Sequence, residues 1–128
     1  MRIEKIVSED RVDIGTLTGV AGSLPFTFTQ LNSDGTEGAP VDITGVTPLV
    51  EVTNGPPEIP GNVLLLTLNE GNGGITRDNL TGTFTLHVTM SQMTTLLLGD
   101  YAWRFLFFES AECVDRPLYG AWNHRKGR

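Results

Sequence analysis

The stretch that decides the fold is GDYAWRFLFFES, residues 99–110. Successive side chains of a β-strand point to opposite faces. One face of this strand then carries Tyr101, Trp103, Phe105 and Phe107. The other face carries Ala102, Arg104, Leu106 and Phe108. A strand at the surface of a small domain should expose one face to water. The apolar residues Leu106 and Phe108 at the end of this second face therefore need an explanation.

Two explanations account for Leu106 and Phe108 on the second face. In the first, the strand crosses the edge of a sandwich, or a helix predicted near 91–98 covers its second face. In the second, that face meets another protein chain. Burying a side chain of this kind is worth about 1.5–3 kcal/mol, so several of them should not stay in water.

The rest of the chain predicts an all-β sandwich or barrel. Short runs rich in Thr, Val and Phe are separated by Gly, Pro, Asn and Asp, which favours strands joined by turns. We predict strands at 12–18, 24–31, 62–69, 82–89, 100–109 and 117–124, and one or two strands within 41–53, broken near Gly45 or Pro48. Loops are expected at 32–40 and 110–116, and the prolines within 53–62 exclude a central strand there. The last two strands should form a hairpin.

One short helix is predicted, near 91–98. Ser91 has a hydroxyl that can cap the first turn. Met93, Leu96 and Leu97 follow the spacing of an apolar helix face, and Gly99 can end the helix in a left-handed conformation.

Composition limits the class of protein. A chain of 128 residues fits a single domain, 1–128, with an extended N-terminal arm (about 1–10) and a basic C-terminal tail (about 124–128). No apolar run reaches the roughly 20 residues of a membrane span, and the N-terminus lacks the apolar segment of a secretory signal. The net charge of −6 argues against nucleic-acid binding. The single cysteine, Cys113, excludes an internal disulfide and suits a reducing cytoplasm.

The motifs of enzymes and cofactor sites are incomplete in this sequence. The glycines at 71–74 form half of a phosphate-binding loop, but no helix is predicted to follow them. The segment 32–37 hints at a calcium loop, yet Gln30 and Val41 stand where ligands are required. His87 and His124 are far apart and lack a third ligand or a nucleophile motif. We therefore expect no enzyme activity, no cofactor, no metal and no small-molecule substrate.

The segment from Ile75 to Trp122 resembles a pattern that recurs in tailed-bacteriophage structural proteins of the upper-baseplate and tail-adaptor kind. The matching positions are Thr81, Gly82, Ser91, Gln92, Leu96, Gly99, Tyr101, Trp103, Phe105 and Gly120. The resemblance implies an Ig-like antiparallel β-sandwich of about seven to eight strands. This sequence departs from the pattern at 110–116, where those proteins commonly have an Asp-Gly turn. The resemblance therefore leaves open which position in the virion this protein would occupy.

The expectation is a non-enzymatic structural subunit of a tailed-phage virion, made in the host cytoplasm and placed in the tail, neck or baseplate. Its partners would be other virion proteins and copies of itself. The apolar residues expected at the contact are Leu106, Phe108, Leu118, Tyr119 and Trp122, and basic contacts would come from Arg125, Lys126 and Arg128. Two alternatives stay open: a head-decoration protein on the capsid, and a carbohydrate-binding module that uses Trp103 and Trp122.

Overall fold

The computed structural model describes residues 10–55 and 62–126 of the chain. Most of the predicted N-terminal arm, the proline-rich segment 56–60 and Arg128 lie outside these residues. Within them the protein is all-β, as predicted. The strands are β1 (Asp10–Arg11), β2 (Ile14–Leu17), β3 (Gly22–Thr27), β4 (Thr29–Leu31), β5 (Glu37–Pro40), β6 (Thr47–Thr53), β7 (Leu64–Asn69), β8 (Ile75–Asp78), β9 (Thr83–Val88), β10 (Gly99–Glu109) and β11 (Glu112–Arg125), with one helix, α1 (Met90–Thr95).

The larger sheet has the strand order β1-β11-β10-β6-β7, and β2 also pairs with β11. The predicted hairpin of the last two strands is confirmed, since β10 and β11 pair antiparallel from Gly99 opposite His124 onward. β1 and β2 run parallel to β11, with Asp10 opposite Leu118 and Ile14 opposite Trp122. The sheet is therefore mixed at this edge, which departs from the antiparallel arrangement expected, while its other pairings are antiparallel.

A smaller sheet, with the order β3-β9-β8, packs on the larger one through aromatic side chains. Phe26 of β3 stacks on Trp103 of β10 with 6.0 Å between ring centroids. Phe84 of β9 lies 5.7 Å from Phe105 and 5.4 Å from Phe107. These rings are offset or tilted, the geometry that aromatic quadrupoles favour, and they form the centre of the core.

The helix begins one residue earlier than predicted and ends sooner. Thr89, not Ser91, is the N-cap: its hydroxyl accepts from the Gln92 N–H, and the Gln92 side chain accepts from the Thr89 N–H. This reciprocal pair is a capping box. Leu96 closes the helix in an extended conformation, and Gly99 already belongs to β10, so Gly99 does not end the helix.

Several predicted boundaries are corrected by hydrogen bonds between distant residues. The run 24–31 is interrupted at Phe28, whose N–H donates to the Gly82 carbonyl and whose carbonyl accepts from Val41. The polar segment predicted as a loop at 32–40 contains β5, which forms a hairpin with β4. Most of the predicted loop 110–116 belongs to β11, which continues through Arg125 into the predicted tail.

Candidate protein-binding face

The register of the larger sheet explains the two apolar faces of β10. Trp103, Phe105 and Phe107 point into the core and are almost completely buried. Leu106, on the other side, lies opposite Leu49 of β6. Alternation along three paired strands therefore gathers one surface that faces away from the smaller sheet. We call it the outer face; it consists of Thr47, Leu49, Glu51, Thr53, Ala102, Arg104, Leu106, Phe108, Tyr119 and Ala121.

Leu106 lies at the centre of the outer face and is only 7% exposed. It does not belong to the core cluster. One explanation from the sequence was that the helix covers Leu106. In the structure the buried side chain of α1, Met93, packs in the core cluster, to which Leu106 does not belong. Leu49, Phe108 and Tyr119 are each half-buried, so an apolar surface surrounds Leu106 and stays partly open to water.

The charges on the outer face are paired. The Arg104 guanidinium donates from Nε and from a terminal nitrogen to Glu51 Oε1, at 2.9 and 2.6 Å. The Arg116 guanidinium lies 5.4 Å from the ring centroid of Tyr119, within the range of a cation–π contact. Because both cations already have partners in the chain, the face combines apolar area with little unpaired charge.

The predicted contact residues divide into two groups. Leu106, Phe108 and Tyr119 come together on the outer face. Leu118 pairs with Phe105 and Trp122 with Tyr101 on the core side, and both are buried, with Trp122 only 1% exposed. Their side chains are occupied within the chain itself. Leu106 is as buried as Leu118, at 7% exposed, so the accessible apolar part of the predicted contact narrows to Phe108 and Tyr119.

The predicted basic contacts lie at the end of β11. Arg125 is exposed and forms an ion pair with Asp100 at 2.6 Å, and Lys126 is exposed. Arg128 lies outside the described residues. Sequence reasoning missed the contributions of Leu49 and Glu51, because only the pairing of β6 with β10 brings them to this face.

The two histidines have separate environments. His87 lies between two hydroxyls, with Ser23 Oγ 2.8 Å from Nδ1 and Thr76 Oγ1 2.8 Å from Nε2. Both partners are hydroxyls, whereas a Ser-His-acid triad needs a carboxylate on the second nitrogen. Among residues 10–55 and 62–126, no three His, Cys, Asp or Glu side chains are placed to hold a metal ion.

No protein family matches this chain, and no curated protein sequence matches it. Over the described residues, no helix has the length and apolar character required to cross a membrane.

Proposed function

We propose that this chain is a structural subunit of a tailed-phage virion, in the tail, neck or baseplate, and that it acts by binding other virion proteins. The observation that carries the proposal is the outer face. Leu49, Phe108 and Tyr119 leave apolar area half-open around Leu106, and the Arg104–Glu51 pair lies within it. Apolar area with aromatic residues and a paired arginine is typical of the core of a protein interface.

We further propose that the fold is Ig-like. The strand order supports this, because the last two strands lie beside β6 and β7 in one sheet while β3, β9 and β8 form the other. A second feature, at the start of β10, also supports an Ig-like fold. The Tyr101 hydroxyl donates to the Leu97 carbonyl four residues earlier, at 2.6 Å. Ig-like domains carry such a tyrosine corner at the start of the equivalent strand.

The carbohydrate-binding alternative relied on exposed tryptophan rings. Trp103 and Trp122 are 2% and 1% exposed, and their rings pack on each other at 6.4 Å between centroids. Neither ring offers a free face on which a sugar could stack. The outer face therefore favours protein binding as the function.

The experiment is quantitative mass spectrometry of purified particles produced from the genome that encodes the chain. We expect the chain in every particle, at a copy number of about a dozen or fewer, as closed rings of a tail require. A copy number of several hundred, on the order of the capsid subunits, would assign it to the head surface instead. Particles without the chain would refute the proposal.

The role of the outer face is tested by incorporation of variants. Phe108→Glu and Tyr119→Glu place a charge on this face, and we expect both to reduce incorporation at least about tenfold, as loss of an interface hot spot does. Leu80→Glu is the matched control, because Leu80 is 89% exposed between β8 and β9. Circular dichroism establishes that each variant is folded. Folded variants that enter particles like the control would show that another surface makes the contact.

A further inference from the structure

A cleft opens between the two sheets where β2 and β3 are their outer strands. Its volume is about 320 Å³, within the range of ligand-binding clefts. Buried apolar side chains line it, among them Leu86 and Trp122. A glycine also lines it on each side, Gly15 from β2 and Gly22 from β3, so the backbone of both strands is bare at this point. We call this space the seam cleft.

The edge of β2 that borders the seam cleft directs backbone groups away from its neighbour β11. The Thr18 N–H donates to the Arg125 carbonyl at 2.9 Å, and in a parallel ladder every second residue bonds to the same neighbouring strand. Ile14 and Thr16 therefore bond to β11, whereas Gly15 directs its N–H and carbonyl to the opposite side. Among the described strands, none pairs with that side of β2.

The edge of β3 has the same property. The His87 N–H donates to the Gly74 carbonyl at 2.8 Å, so this residue and its alternates in β9 bond to β8. The residues of β3 that bond to β9 are then Gly22 and its alternates, including Leu24. Ser23, between them, directs its N–H and carbonyl to the edge, where no described strand pairs with β3.

We propose that the seam cleft binds a short extended strand of a partner protein, inserted between β2 and β3. An added strand satisfies the backbone donors and acceptors of both edges, which an apolar ligand of another kind does not do. Gly15 and Gly22 allow a second backbone to approach closely. Pro25 has no N–H to offer on the edge of β3, so the added strand is confined to the part of β3 before it.

Charge specifies the partner strand further. Among the described residues that line the seam cleft, Asp13 alone is ionisable. Its ion pair with Arg11 is exposed and 3.3 Å long, so it is weak and Asp13 can still attract another cation. The chain as a whole carries a net charge of −6. The strand that fits therefore has apolar residues at alternate positions and a basic residue at its ends.

This proposal concerns a site other than the outer face and holds whether or not the proposed function does. The probe is a capped heptapeptide, Lys-Val-Thr-Val-Thr-Val-Lys, added to the full isotope-labelled chain and followed by NMR. We expect a Kd on the order of 0.1–1 mM, with the largest amide shifts at Gly15 and Ser23 and none at Thr76 in β8. Glutamate in place of both lysines should weaken binding at low salt; equal binding would contradict a basic partner.

The peptide N-methylated at its three central residues separates strand addition from apolar binding. It keeps the side chains of the probe and loses the N–H groups that a strand needs. We expect its Kd to rise at least about tenfold, because the backbone acceptors of the cleft then have no donor. Equal binding of the two peptides would overturn the proposal.

The discriminating variant of the protein is Gly22→Leu. A Cβ at this position meets only Val88 Cγ2, at 3.9 Å, so the larger side chain fits and fills the seam cleft. Gly71→Leu, in the turn after β7, is the matched control, since a Cβ there meets only Asn69 Oδ1 at 3.4 Å. Both variants should keep the unfolding midpoint of the native chain.

We expect Gly22→Leu to weaken binding of the lysine peptide at least about tenfold, as loss of a central contact does. Gly71→Leu should leave the Kd unchanged. A native chain whose Gly15 and Ser23 amides do not shift with the peptide, or equal binding by the two variants, would overturn the proposal.

Discussion

The buried imidazole of His124 donates a hydrogen bond from Nε2 to the carbonyl oxygen of Met93, at 2.9 Å. The direction is fixed because a carbonyl can only accept. In the neutral imidazole Nδ1 then accepts from the Thr16 hydroxyl at 2.9 Å, and that hydroxyl in turn accepts from the indole N–H of Trp122. Thr18 donates to the same Met93 carbonyl. This chain of bonds joins α1, β2 and β11.

We expect His124→Ala to lower the free energy of unfolding by about 2–4 kcal/mol. The substitution opens a cavity and leaves the Thr16 hydroxyl without its acceptor. His87→Ala is the matched control, because His87 is half-exposed and water can replace its bonds; its loss should be below about 1 kcal/mol. Urea denaturation of both variants measures the difference, and equal losses would contradict a structural role specific to His124.

Gly120 provides the close approach between β11 and the segment that follows β1. A Cβ at this position would collide with the carbonyl of Val12 and meet Asp13 Oδ1 at 3.0 Å. We expect Gly120→Ala to destabilise the protein by about 2–4 kcal/mol, because the chain near Val12 must move away from the sheet. Gly15→Ala is the control, since a Cβ there meets nothing within 4 Å. Thermal unfolding should show a large shift for the first variant only.

Arg77 connects β8 with the segment before β6. Its guanidinium donates to the carbonyls of Ile43 and Val46 at 2.7 and 2.6 Å, and to both carboxylate oxygens of Glu70. It also lies 5.2 Å from the ring centroid of Phe84. Hydrogen bonding to Arg77 holds the pKa of Glu70 below its ordinary value of 4.5.

This lowered pKa gives a pH dependence with a definite sign. The folded state holds the Glu70 proton less tightly than the unfolded chain, so the ion pair stabilises the fold at neutral pH. The stabilisation is lost as the pH falls through the lowered pKa, below 4.5. We expect Glu70→Gln to cost about 0.5–1 kcal/mol at pH 7, since the pair is partly exposed.

The measurement for Glu70 is urea denaturation across the acid range. The difference in stability between the native chain and Glu70→Gln should shrink as the pH falls below 4.5. Glu112→Gln removes an exposed carboxylate and serves as the control. A difference that stays constant with pH would show that the charge on Glu70 is not what stabilises the fold.

Tyr101→Phe removes only the hydroxyl that bonds to the Leu97 carbonyl. The expected loss is about 1 kcal/mol, the usual contribution of one hydrogen bond. Tyr119→Phe, on the outer face, is the control and should change stability by less than about 0.5 kcal/mol. Chemical denaturation tests both. No loss in Tyr101→Phe would remove one of the two features that support the Ig-like assignment.

Alternation along β10 was enough to predict which of its side chains enter the core. Trp103, Phe105 and Phe107 lie in the core as their spacing requires, and the β10–β11 hairpin follows from two adjacent strands with a short connection. Met93 is also buried as the helical spacing predicted, but Leu97, expected on the same helix face, lies beyond the end of α1 and is 79% exposed. These features depend on residues close together in the chain, where local physical chemistry decides the structure.

The missed features depend on contacts between distant segments. The short strand β8 was not predicted, because it is defined by its pairing with β9 and by the contacts of Arg77. The parallel partners of β11 were missed for the same reason, because paired residues such as Ile14 and Trp122 are separated by most of the chain. The sequence shows that Leu106 is apolar, but only the pairing of β6 with β10 supplies its neighbour Leu49.

The parallel pairing of β1 and β2 with β11 determines how the protein responds to a pulling force. Asp10 lies opposite Leu118 and Leu17 opposite Arg125, so the two ends of the described chain leave this ladder in opposite directions. Tension applied between those ends acts along the strands, and it loads the ladder's hydrogen bonds together in shear. A domain connected in this way resists extension more than one whose terminal strands are peeled apart one bond at a time.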